Sequence, residues 1–141
     1  MIQVYDTLQR ALVPLETREA DSVAMYVCGP TVQSEPHVGH GRSAVAFDVI
    51  RRYLIWRGFN VTYVQNITDV EDKIIAAAAE AGVPMDELAV TMSKRFAEAF
   101  DGLGILVPDH EPKATDHIAE IIGIIETLID RGLAYASGGD V

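Results

Sequence analysis

An apolar run from Val23 to Cys28 ends at Gly29-Pro30, a helical pattern follows, and a second apolar run closes the segment. The first run is rich in β-branched and aromatic side chains and reads as a strand apolar on both faces, as parallel strands are. From about Gly41 to Arg57, Ala46, Val49, Ile50, Tyr53 and Leu54 recur at three- and four-residue steps, which predicts a helix with one apolar face. Gly58 is placed to stop it in the C′ role. Val61, Thr62, Tyr63 and Val64 then mark a second strand within Phe59 to Ile67. Strand, helix and strand make a βαβ unit with a right-handed crossover. The carboxyl ends of its strands, near Cys28 and Asn66, are expected side by side, at the edge where open α/β sheets bind ligands.

The turn between the first strand and the helix concentrates chemistry. It reads Cys28-Gly29-Pro30-Thr31-Val32-Gln33-Ser34-Glu35-Pro36-His37-Val38-Gly39-His40. Backbone N–H groups converge at a helix start, and its dipole favours negative charge. Phosphate suits such a place, with His37 and His40 as further donors. The bland alternatives are two structural histidines at a helix start or two ligands of an unrelated metal.

Size and composition fit one globular domain: 141 residues, 49% hydrophobic and 23% charged. The net charge of −10 argues against a general nucleic-acid surface. Arg42, Arg51, Arg52 and Arg57 still cluster on or beside one helix, either as a solvated face or as a local cationic site. A single cysteine allows no internal disulfide and points to a reducing, cytoplasmic compartment. No run approaches the roughly 20 apolar residues of a membrane span, and the N-terminus lacks a signal-peptide pattern.

Residues 1–20 read as an N-terminal extension with a short strand around Ile2 to Tyr5. Thr68-Asp69-Val70-Glu71 fits a capping box, with Gly82 closing that helix and Pro84 opening the next. Leu88, Met92, Phe96, Phe100 and Leu103 form one apolar face. Ile118, Ile121, Ile122, Ile125, Leu128 and Ile129 form another, ended by Gly132. The methionine and aromatic positions are expected in the core. Leu133 to Ala136 reads as the start of a strand and Gly138-Gly139 as a turn.

Taken together, Cys28-Gly29-Pro30-Thr31, His37-Val38-Gly39-His40, Phe47-Asp48-Val49, Asn66-Ile67-Thr68-Asp69, Asp72-Lys73-Ile74-Ile75, Glu111-Pro112-Lys113-Ala114-Thr115 and Gly139-Asp140-Val141 resemble the start of cysteinyl-tRNA synthetases. The likeness runs through the whole chain in order. It implies the first half of a Rossmann-type parallel sheet, with residues 21–141 as a partial class I catalytic domain and the start of its inserted region. His37 to His40 corresponds to the HIGH signature. The resemblance implies that His37 and His40 contact ATP phosphates and stabilise charge at the α-phosphate, a task of positioning and electrostatics. Gly39 would let the backbone approach the nucleotide. Thr31, Ser43 and Asn66 would line the adenylate.

By the same resemblance Cys28 is a Zn2+ ligand, and the metal holds the substrate thiolate. Zinc favours sulfur and lowers a thiol's pKa, which separates cysteine from serine. The remaining ligands are expected beyond Val141, and the chain alone is expected to be largely metal-free. Gly29 and Thr68 match positions that contact substrate cysteine; Thr68 has a competing role as N-cap of the following helix. Cys28, Thr68 and the histidine pair are expected around one adenylate-sized hollow. Thr91-Met92-Ser93-Lys94-Arg95 imitates the KMSKS loop but lies inside a helical pattern and is not assigned that role.

The implied activity is ATP-dependent ligation of cysteine to tRNA(Cys) through a cysteinyl-adenylate, with L-cysteine, ATP with Mg2+ and tRNA as partners. The chain would be an incomplete, monomeric N-terminal part, inactive alone and with few tRNA contacts. Two alternatives stand beside it: a cysteine ligase acting on an amino sugar in mycothiol synthesis, and a non-catalytic nucleotide- or partner-binding module.

Overall fold

A computed structural model describes residues 2–141. Strand β1 (Gln3–Asp6) and strand β2 (Ala11–Pro14) form an antiparallel hairpin in the segment read as an extension. Strand β3 (Ser22–Val27) and strand β4 (Asn60–Gln65) pair in parallel, from Ser22 opposite Asn60 to Val27 opposite Gln65. Parallel bridges from Val64 to His110 and from Ile67 to Lys113 lay a third extended segment along the other side of β4. The expected α/β unit is therefore present. Only one face of β3 is covered, however: Ala24 and Tyr26 are exposed, so the strand is not buried on both sides as expected.

Helix α1 (Val38–Trp56) starts three residues before the predicted Gly41, because His37 and His40 cap it. Its buried stripe also differs from the predicted one. Ala44, Asp48, Arg51 and Leu54 are buried, while Ala46, Val49, Ile50 and Tyr53 are exposed. Ion pairing explains how two charges come to lie inside. Arg51 donates to the Leu106 and Val107 carbonyls and to Asp109, and Asp48 accepts from the Leu106 N–H and from Arg52. Asp109 also accepts the Tyr63 N–H of β4. These bonds fix the loop that leads into the third extended segment. Arg51 and Arg52 are thus committed to fastening structure, while Arg57 reaches only Tyr53 of its own helix.

Helix α2 (Asp72–Ala81) starts at Asp72 with Glu71 before it, so Thr68 is not its N-cap and the predicted capping box does not form. Asp69 instead accepts both the backbone N–H and the hydroxyl of Thr115. Gly82 closes α2 in the left-handed region at φ 68°, where other residues carry a steric cost. Helix α3 (Met85–Gly102) follows with Pro84 as its N-cap residue. The core joins Val32 and Ile67 of the strand tips to Ile74 of α2 and to Ala89 and Phe96 of α3. Leu88, Met92 and Phe100 pack against it, whereas Leu103 is exposed. The core therefore lies directly beneath the strand tips.

Helix α4 (Ile118–Asp130) forms where predicted, after a 3-10 turn at Thr115–His117, but buries none of its residues. Its isoleucine stripe is not core among the described residues. Leu133 to Ala136 forms no strand; Gly138 and Gly139 make the expected turn, closed by a bridge between Ser137 and Asp140.

Candidate active site at the strand tips

The tips of β3 and β4 are stitched together by backbone and by one amide. The Gly29 N–H donates to Asn66 Oδ1 at 2.9 Å, and Asn66 Nδ2 donates to Thr68 Oγ1 at 3.3 Å. The Thr68 N–H donates to the Pro30 carbonyl, and the Val32 N–H donates to the Thr68 carbonyl, with Thr31 bridged to Thr68. At Gly29 a Cβ would stand 1.5 Å from the Asn66 carbonyl oxygen, so the two chains can approach only with glycine there. Asn66 thus has an internal partner at each end of its amide, and Thr68 is held by its backbone and its hydroxyl.

The two imidazoles cap α1 reciprocally. The Gly39 N–H donates to His37 Nδ1 at 3.1 Å, and the His37 N–H donates to His40 Nδ1 at 3.2 Å. This is a capping box in which both side-chain acceptors are histidines. An Nδ1 that accepts cannot carry a proton, so each neutral ring holds its proton on Nε2. The rings stack with centroids 3.9 Å apart. Burial first, and His37 second, push the His40 pKa below the ordinary imidazole value. Both effects favour the neutral donor form. Gly39 has a local purpose too: the His37 ring occupies the space where its Cβ would be.

Cys28, Gly29, His40 and Ser43 line one cavity together with Pro30, Ala44, Gln65 and Phe100. Its volume is about 100 Å³. Ligand pockets usually measure roughly 300–1,000 Å³. The hollow is therefore smaller than the adenylate-sized space expected, and Thr68 does not line it, being joined to Gly29 through Asn66 and to the Pro30 carbonyl through its own N–H. His37 lines a separate, mostly apolar groove of about 500 Å³ with Pro36, Gly41, Arg42, Phe100 and Leu103. Thr31, Gly39, Asn66 and Thr68 line neither space but are bonded to the same corner. Phe96 and Phe100 are the site neighbours that sequence reading assigned to core alone. Their four-residue spacing on α3 was visible; their approach to His40 depends on tertiary packing.

The donor set for a metal is incomplete. No group of three or more His, Cys, Asp or Glu side chains is clustered for metal binding among the described residues. The exposed Cys28 can supply one thiolate, and these residues by themselves do not fit a zinc site. The KMSKS-like segment lies within α3, where Ser93 bonds the Ala89 carbonyl and Lys94 and Arg95 face Glu98. No described helix is long and apolar enough to cross a membrane.

Residues 14–141 match the family model for the catalytic domain of class I tRNA synthetases of the cysteine type. A cysteine–tRNA ligase of Frankia casuarinae is 48% identical over 140 residues, which is 99% of this chain and 27% of that protein. The chain thus spans about a quarter of that relative's length. Two structures of Mycobacterium tuberculosis methionyl-tRNA synthetase with methionyl-adenylate superpose with TM-scores of 0.72 and 0.68, each at 26% identity. They cover 79% and 77% of this chain and 22% of the solved chains. The strand-tip corner with its doubly capped helix start, the family match and the near-complete alignment agree, and the chain belongs to the class I cysteinyl-tRNA synthetase family.

Proposed function

We propose that this chain supplies the nucleotide-phosphate and amino-acid corner of an enzyme that joins cysteine to tRNA(Cys) through a cysteinyl-adenylate. The observation that carries the reading is the paired-imidazole cap. It leaves two neutral rings whose free Nε2–H groups are donors at a helix start. Neutral ring N–H donors can hold ATP phosphates, with Mg2+ accompanying the nucleotide, and can stabilise charge as the cysteine carboxylate attacks the α-phosphate. His37 and His40 carry that role, supported by Gly39, Ser43 and Thr31. Gly29, Thr68 and Asn66 shape the amino-acid end. Cys28 is the one thiolate here that a substrate-selecting zinc could use; the other ligands would come from outside these 141 residues. The ribose hydroxyl of tRNA would then take the cysteinyl group. A reducing cytoplasm fits the single thiol.

The curated relative is a tRNA ligase, and no observation favours an amino-sugar ligase or a non-catalytic module over it. The test is cysteine-dependent exchange of pyrophosphate into ATP by a full-length synthetase carrying these residues. His40→Ala should lower the rate roughly 10²-fold or more, the usual loss for one transition-state donor. An undiminished rate would remove His40 from the chemistry.

A further inference from the structure

The His40 ring is held by two residues of different origin, His37 of its own turn and Phe96 of α3. The His37 backbone N–H donates to its Nδ1, and the His37 ring stacks against it with an interplanar angle of 29°. From α3, the Phe96 ring meets it edge-on, with centroids 4.9 Å apart and planes at 69°. Phe96 is itself immobilised. It is only 3% exposed, belongs to the core with Val32, Ile67, Ile74 and Ala89, and is braced edge-on by Phe100.

An imidazole can swing away about its χ1 and χ2 bonds, which would carry Nδ1 out of reach of the His37 N–H. Swinging away would break that bond and leave His40 free to carry its proton on either nitrogen. The stacked His37 ring belongs to the same turn and can move with it. Phe96 cannot, because the core under the strand tips fixes its place.

We propose that Phe96 is a positioning residue for His40: its core-fixed ring blocks the imidazole from swinging off the cap, and so keeps Nδ1 on the His37 N–H with Nε2–H left as the donor. The proposal rests on the reading of His40 as a phosphate donor for its functional meaning. The geometry itself stands apart from that reading. It assigns α3, an element outside the strand–helix–strand unit, a part in preparing the helix start, and it explains why Phe96 points toward the strand tips.

The test is nitrogen-15 NMR of the histidine rings in this 141-residue chain and in two variants. In the parent chain His40 should show one tautomer, with an unprotonated Nδ1 and a protonated Nε2. Phe96→Leu keeps an apolar side chain and should bring the two ring-nitrogen shifts toward each other as tautomers mix. Leu88→Ala removes packing from the same core two turns away and should leave the His40 pattern unchanged. A parent chain with its proton on Nδ1 would overturn the proposal even if Phe96→Leu did not fold. So would a Phe96→Leu spectrum identical to the parent's, or equal mixing in Leu88→Ala. ATP titration of the same samples reads the phosphate role separately: no response to ATP beside a Phe96-dependent tautomer would remove that role and leave the positioning intact.

Discussion

The Gly39 N–H reaches His37 Nδ1 only because position 39 lacks a Cβ, which would lie 2.9 Å from His37 Cε1 and 3.0 Å from Nδ1. Gly39→Ala should therefore push the His37 ring off the helix start and remove half of the capping box. Loss of a helix cap costs about 1 kcal/mol, so urea denaturation should show a decrease of that order. The same box responds to acid. The unfolded chain takes a proton on His40 near the ordinary value of 6.5, while the folded chain holds it off to lower pH. Protons therefore favour the unfolded state in that window, and the contribution of neutral His40 is present above pH 6.5 and lost as pH falls through its folded pKa. Stability followed from pH 7.5 to 5 should decline, and His40→Gln should flatten that part of the curve. These residues were legible because their spacing is local: Cys28, Gly29, His37, Gly39 and His40 all lie within one turn of chain. The fit of Phe96 against His40 joins positions far apart in sequence, and no local pattern encodes it.

Helix α1 was predicted from its apolar steps, yet its inner stripe contains Asp48 and Arg51. Periodicity found the helix and missed its orientation, because an ion-paired and hydrogen-bonded arginine can be buried when carbonyls and a carboxylate surround it. The four arginines read as one cluster separate on this criterion. The Arg51 side chain is 9% exposed and bonds two carbonyls and Asp109, whereas Arg57 lies along Tyr53 at the surface. Arg51→Met should cost about 1–3 kcal/mol, since it leaves those carbonyls and a partly exposed carboxylate without their donor. Arg57→Met should stay within about 0.5 kcal/mol. Thermal denaturation of the two variants separates them; equal losses would refute the fastening role of Arg51. Similar reasoning explains the misplaced start of α2. Thr68-Asp69-Val70-Glu71 has a capping-box spacing, but Thr68 is used by the Pro30–Val32 strand extension and Asp69 by Thr115. Tertiary partners took the capping residues.

Two opposing forces act on the molecule as a whole. The net charge of −10 repels like chains, while α4 exposes Ile118, Ile121, Ile122, Ile124, Leu128 and Ile129 on one short helix. An amphipathic stripe found by sequence is thus a true helix signal without being a core signal: its period fixes the helix, and only a neighbouring surface can bury it. Repulsion between exposed charges is screened over roughly 8 Å at physiological ionic strength and over roughly 3 Å at 1 M salt. Apolar attraction is not weakened in this way, so adding salt should shift the balance toward association. Sedimentation of this chain should show average mass rising from low salt to 1 M sodium chloride. Ile121→Glu combined with Leu128→Glu should suppress that rise, because it removes apolar area and adds repulsion on the same face. Neither side chain is buried, so the pair should change the melting temperature little. Association that persists in the double variant would place the adhesive surface elsewhere, with the open face of β3 around Tyr26 as the next surface to test.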